Sequence, residues 1–198
     1  MKIAFVADPL DGLDPSIDTT VGLMHAAQDR GAELWVTQAR RLEAAHGRAR
    51  APARRVRLAP SRPRGDHRWT VAQQWFTAGE PQQVWLDEMA AVFMRTEPPV
   101  DSTYTTATLI LDLVDRGRTA LINDPGGLRA CSEHLMPLRF PGLIPPTIVM
   151  VYAPRDEREL EVVWRLVQAS YRFATGHEVD PAELTLPTTG TLEEHVRQ

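Results

Sequence analysis

The sequence predicts a three-layer α/β domain with a mainly parallel sheet, followed by a C-terminal helical extension. Three observations carry that expectation. Residues 2–7, KIAFVA, form a short apolar β-prone run, and ELWVT at 33–37 forms a second, with a helical pattern ending at Gly31 between them. The same strand, helix, glycine, strand order recurs from AAVFMR at 90–95 through Gly117 to TALIND at 119–124. Strands that alternate with helices make β-α-β units, which assemble into parallel sheets covered by helices.

Length and composition agree with a folded domain. The 198 residues are 43% hydrophobic and 24% charged, enough for one domain with a core. No run of about 18 apolar residues is present, so no membrane partner is expected. The start, MKIAFVADP, runs too quickly into Asp8 and Pro9 for a secretory signal, so a cytoplasmic location is expected. Cys131 is the only cysteine, which excludes a disulfide framework and a cysteine-based zinc site. Lys2 is the only lysine; every other basic residue is arginine.

Taken in order, the first strand ends at Asp8-Pro9 and a Gly/Asp/Pro-rich loop runs to Ser16. Asp18 or Thr19 caps the first helix, Val21, Leu23, Met24 and Ala27 give it a buried stripe, and Gly31 stops it. Residues 40–68 differ from the rest. Ten arginines stand against Glu43 and Asp66, a local charge of +8, which leaves −12 elsewhere to reach the total of −4. Such a block suits phosphates or nucleic acid. It lacks interleaved aromatics, however, and the alternation around ARRVRLA suits a solvated hairpin insertion with polar residues outward, so no nucleic-acid partner is expected.

A strand at 90–95, a helix over 102–116, a strand at 119–123 and a short helix near 126–136 follow. A strand at 147–152 and a long helix over about 156–174 complete the pattern. The α/β domain is therefore expected over 1–152, with the helix and a polar tail over 153–198.

In an open parallel sheet, ligands bind beyond the carboxyl ends of the strands. That rule selects the loops at 8–20, 95–104 and 123–129 and the region after VMVY. In the second, Arg95 precedes a rigid Pro98-Pro99 turn and is suited to hold a carboxylate bidentately. The other reading is a surface pair of Arg95 with Glu97 or Asp101. Asp18, Thr19 and Thr20 are first an N-cap cluster, yet a helix start also offers N–H groups and hydroxyls to an anion. Asn123 opens a loop whose glycine spacing is wrong for a dinucleotide. The six histidines show no metal-ligand spacing and no lysine-bearing P-loop is present, so no metal and no cofactor are expected. Cys131 reads as a buried, inert thiol.

Several stretches resemble the prokaryotic glutathione synthetases. They are KIAFVADP, Asp18-Thr19-Thr20 with AAQDRG, His46-Gly47-Arg48-Ala49, FMRTEPPVD, TYTTATLILDLVDRG and LINDPGGLRACSEHL. The resemblance covers the family's amino-terminal, substrate-binding domain over roughly residues 1–140. Its most specific stretch is Met94 to Asp101, similar to M-R-x-D-P-P-x-D, and N-x-P-x-x-L-R at 123–129 is nearly as telling. Weaker similarity to the opening of the ATP-grasp module runs through PPTIVMVYAPRDERELEVVW and stops after Trp164.

That resemblance implies a Rossmann-like domain of the pre-ATP-grasp type. It also implies a substrate-binding set of Asp18, Thr19, Thr20 and Arg95, with Tyr104 and Asn123 on the same face. The family's nucleotide-binding lysine, mobile glycine-rich loop and metal-holding carboxylate have no counterpart among these residues. A lysine usual before the Asp-Ser pair is Ile17 here, and another is His134. The function implied is a truncated synthetase-like protein that binds a small carboxylate-bearing, γ-glutamyl or amino-acid-like ligand. It would be unable to perform ATP-dependent ligation alone and would partner a separate ATP-grasp chain. Self-association is expected through Leu160, Val163, Trp164, Val167 and Tyr171, giving a homo-oligomer. The alternative is an ATP-independent enzyme that reuses the pocket, with a general base drawn from Asp8, Asp18, His25, Glu97 or Asp101.

Overall fold

The computed structural model describes residues 1–65, 68–131, 135–140 and 142–144, with isolated positions at 158, 161, 163, 165, 168, 172 and 176. The chain divides into two compact units, Met1–Ala130 and Cys131–Gln198. The strand expected at 147–152, the boundary at 152 and the tail from His177 lie outside the described residues. The helix expected at 156–174 is described only at single helical positions such as Val163 and Arg165. In the second unit, Met136–Arg139 forms a short 3-10 turn.

The first unit is built on β1 (Lys2–Ala7), α1 (Thr19–Asp29), β2 (Glu33–Thr37), β3 (Glu43–Ala45) and β4 (Arg48–Leu58). There follow β5 (Arg62–Gly65), β6 (Arg68–Thr70), β7 (Phe76–Trp85), β8 (Ala91–Arg95), α2 (Ser102–Leu111), β9 (Ala120–Ile122) and α3 (Pro125–Ala130). Strands β2, β1, β8 and β9 lie side by side and are parallel. β4 runs antiparallel to β2 and β3 along one edge and to β7 along the other. The sheet is thus parallel in the half built from the two β-α-β units and antiparallel in the half built from hairpins.

The helices cover opposite faces. Val21 and Met24 of α1 join Phe5, Leu34 and Val56 in one buried cluster. Tyr104, Ala107 and Leu111 of α2 join Val6, Val92 and Met94 in the other. Burial on both faces makes β1 apolar from Ile3 to Ala7, as interior parallel strands are. From β1 the chain winds through α1 to β2, and from β8 through α2 to β9 on the opposite side. The winding therefore reverses between β1 and β8, the switch point at which sheets of this class open a crevice.

The 40–68 segment corrects the sequence expectation. Only β5 and β6 form an exposed hairpin, while β4 is an interior strand of the sheet. Ala49, Ala51 and Ala53 are fully buried beside α2's cluster, and Val56 and Leu58 are buried on the α1 face. Alanines between arginines look neutral in sequence, but their small side chains let the covering layer approach closely. The arginines then lie along an ion-paired strand: Arg48 with Asp87, Arg50 with Glu43 and Arg55 with Glu33. The β3–β4 turn is His46-Gly47, both at positive φ (53° and 73°), the geometry of a two-residue hairpin of the I′ type.

β7 was not expected, because Gly79 and Pro81 make FTAGEPQQVW read as a loop. Proline is tolerated there because β7 is an edge strand. α2 ends at Leu111 and α3 at Ala130, both short of the expected ends.

Candidate functional site

The carboxyl ends of β1, β2 and β8 converge on one rim. Register places Arg95, the last residue of β8, beside Ala7, the last of β1. Past that point the Arg95 side chain crosses to the start of α1. Its Nε donates to Thr20 Oγ1 at 3.2 Å and its Nη2 to Thr19 Oγ1 at 2.8 Å. Asp18 fixes the first turn of that helix, since its Oδ1 accepts from the N–H groups of Thr20 at 2.7 Å and Val21 at 3.0 Å. That is an N-cap, and it satisfies two donors that the helix cannot.

The hydroxyls accept from Arg95, which leaves their own protons uncommitted among the described residues. Arg95 Nη1 has no protein partner among the described residues, and no ion pair joins Arg95 to Glu97 or Asp101 there. The structure favours the pre-set guanidinium over the surface pair. A planar fork beside two hydroxyls and a helix start has the donor set of a carboxylate site.

The two loops at the switch point are tied together. Glu97 N donates to Asp8 Oδ2 at 2.9 Å, and the Pro98–Pro99 peptide that follows is cis. A cleft of about 490 Å³ opens between the loops after β1, β2 and β8, lined among others by Asp8, Gln38, Arg40, Glu97, Asp101 and Tyr104. Tyr104 is buried, and its phenol is pushed above its ordinary pKa by burial and by the Glu97 charge, with Arg95 opposing. Asp101 caps α2 by accepting from Tyr104 N at 2.8 Å.

Asp18, Thr19, Thr20 and Arg95 are therefore brought together, while Tyr104 lines the neighbouring cleft, where the Arg95 charge reaches its phenol. Asn123 is not brought in. It sits exposed one strand away, at the end of β9, where the neighbouring Asp124 accepts from Gly127 N at 2.7 Å and pairs with Arg116. Of the acid–base candidates, Asp18 and Asp101 act as caps. His25 lies in a different cleft with Arg57 and Trp69, where burial lowers its pKa against the pull of Asp29. Asp8 and Glu97 remain at the rim. Cys131 is exposed rather than buried, a correction that follows from its place just past the end of α3. No cluster of metal ligands occurs among the described residues.

Sequence reasoning missed the loop after β2. Gln38, Arg40 and Arg41 stand at a strand's carboxyl end like the other rim residues, and the same rule selects them. Their arginines were absorbed into the basic block instead.

The family model described as "Prokaryotic glutathione synthetase, N-terminal domain" matches residues 1–129. The chain belongs to the prokaryotic glutathione synthetase family. The glutathione synthetase of Synechococcus elongatus is 45% identical over 149 residues, covering 75% of this chain and 46% of the relative. That of Nostoc sp. is 46% identical over the same shares. The Nitrosomonas europaea glutathione synthetase is 33% identical, with 44% of its length covered. The chain thus spans less than half the length of these curated relatives.

Both stretches that carry the glutathione synthetase resemblance most specifically are strand-to-helix corners, Arg95–Ser102 between β8 and α2 and Asn123–Pro125 between β9 and α3. A second family model, described as a luciferase domain, matches residues 132–170. The stretch expected to resemble an ATP-grasp opening, 145–164, falls wholly within that match and past the end of the glutathione synthetase family model. No helix among the described residues is long and apolar enough to cross a membrane.

Proposed function

We propose that this glutathione synthetase family chain binds a small carboxylate-bearing ligand, of γ-glutamyl or amino-acid-like type, and that its 198 residues do not carry out ATP-dependent ligation on their own. The observation that carries the reading is the Arg95 guanidinium held on the Thr19 and Thr20 hydroxyls at the β1–β8 switch point. A ligand carboxylate there meets a charge-assisted donor already fixed in place, so little side-chain freedom is lost on binding. Ile17 stands where the resemblance implies a lysine, which counts against an unchanged γ-glutamyl dipeptide and leaves the wider amino-acid-like class open.

Ligation through an acyl phosphate needs cationic groups on the nucleotide phosphates and acidic ligands for the metal. Lys2, at the start of β1, is the only lysine among these 198 residues, so an ATP-grasp module outside them would supply that half. Calorimetry of the full chain with a γ-glutamyl dipeptide, glutathione and MgATP tests both parts. Saturable binding of a γ-glutamyl ligand with no heat from MgATP is expected. Absence of binding by either γ-glutamyl ligand overturns the first part, and micromolar MgATP affinity overturns the second.

A further inference from the structure

A second cleft, of about 430 Å³, lies on the α1 face of the sheet at the same rim, across the Asp8–Pro9 turn from the first. Its walls carry opposite charges. Asp8 and Asp11 stand on the β1 side, and Arg41 and Arg54 on the side of β2 and β4. Arg54 is opposite Val36 in the β2–β4 register, so two inter-strand spacings, roughly 10 Å of backbone, separate it from β1. Val36 and Val56 lie between the walls as an apolar floor.

None of these charges is neutralised internally: Asp8 gives one carboxylate oxygen to Glu97 N, and its other oxygen and the Asp11 carboxylate have no partner among the described residues. Arg48, Arg50 and Arg55 of the same strand each hold a carboxylate. Arg54 donates only to the Gly79 carbonyl, at 3.1 Å, and neither Arg41 nor Arg54 pairs with an acid among the described residues. Two acids facing two unpaired arginines repel a simple anion from one wall and a simple cation from the other. The complementary ligand is neutral overall and carries both charges close together.

We infer that this cleft binds a free α-amino acid with an apolar side chain. Asp8 and Asp11 receive the ammonium, Arg41 and Arg54 the carboxylate, and the side chain lies over Val36 and Val56. This cleft shares Asp8 and Gln38 with the first one but includes none of Arg95, Thr19 and Thr20, so it does not depend on the reading given for them.

Calorimetry of the full chain with L-leucine, L-leucinamide and N-acetyl-L-leucine tests the inference. L-leucine should bind saturably, and each blocked form at least ten times more weakly, because each removes one charged partner. Asp11→Asn and Arg54→Gln, both at exposed positions, should each weaken L-leucine at least tenfold without moving the thermal midpoint. No saturable binding of L-leucine, or equal affinity for a blocked form, overturns the inference. So does unchanged affinity in both variants.

Discussion

Arg95 Nη2 and Thr19 Oγ1 lie 2.8 Å apart although 76 positions separate them in the chain. The contact locks the end of β8 to the start of α1, across the point where the direction of winding reverses. Asp8 and Glu97 make a second tie between the same two loops. With the Arg95 Nε to Thr20 Oγ1 bond, three long-range hydrogen bonds hold one rim in shape before any ligand arrives.

Arg95→Ala should keep the fold, at a cost of about 1 kcal/mol for hydrogen bonds to neutral hydroxyls. Affinity for a γ-glutamyl ligand should fall at least about tenfold, as removal of a charge-assisted pair implies. Calorimetry beside a thermal melt checks both. An unfolded variant would make Arg95 structural, and unchanged binding would place the ligand elsewhere.

Asp18→Ala removes the cap of α1 and should destabilise the chain by about 0.5–2 kcal/mol, read from the urea midpoint. Asp18→Asn should recover most of that stability, because an amide oxygen also accepts from Thr20 and Val21 N–H groups. Equal loss in both variants would count against the cap.

Asp87 is buried and accepts from Arg48 Nε at 2.7 Å and Nη2 at 2.5 Å. The Arg48 hydrogen bonds hold its carboxyl below the ordinary range, against the opposing effect of burial. A depressed carboxylate stabilises the fold above its unfolded pKa of about 4 and loses that contribution as pH falls through the folded value. Asp87→Asn should therefore be less stable than wild type at pH 7, with the gap closing as pH drops below about 4. Urea midpoints at pH 7, 4 and 3 measure it, and a constant gap would refute the assignment.

Ala51→Leu tests whether β4 belongs to the core. Ala51 is 0% exposed between Arg50 and Pro52, so overpacking should cost about 1–3 kcal/mol. Arg62→Ala on the exposed β5 should stay within about 0.5 kcal/mol. Matching stabilities for the two would return 40–68 to the status of an appended hairpin.

The sequence by itself determined β1, β2, β8 and β9, because apolar runs of strand length flanked by capped helices have few other uses. It also narrowed the cap to Asp18 or Thr19 and set the rim position of Arg95, since both are local signals attached to strand and helix ends. Tertiary structure alone decided where β4 and β7 go. Their alanines, arginines, glycine and proline carry no strong periodicity, and only pairing along both edges of β4 shows which alanines are buried. Tertiary structure also decided the partner of Arg95. Glu97 and Asp101 are its neighbours in sequence, but parallel β1–β8 register and the turn into α1 deliver Thr19 and Thr20 to it instead. Sequence distance sets which residues meet within one turn of chain, whereas strand order sets which loops share a rim.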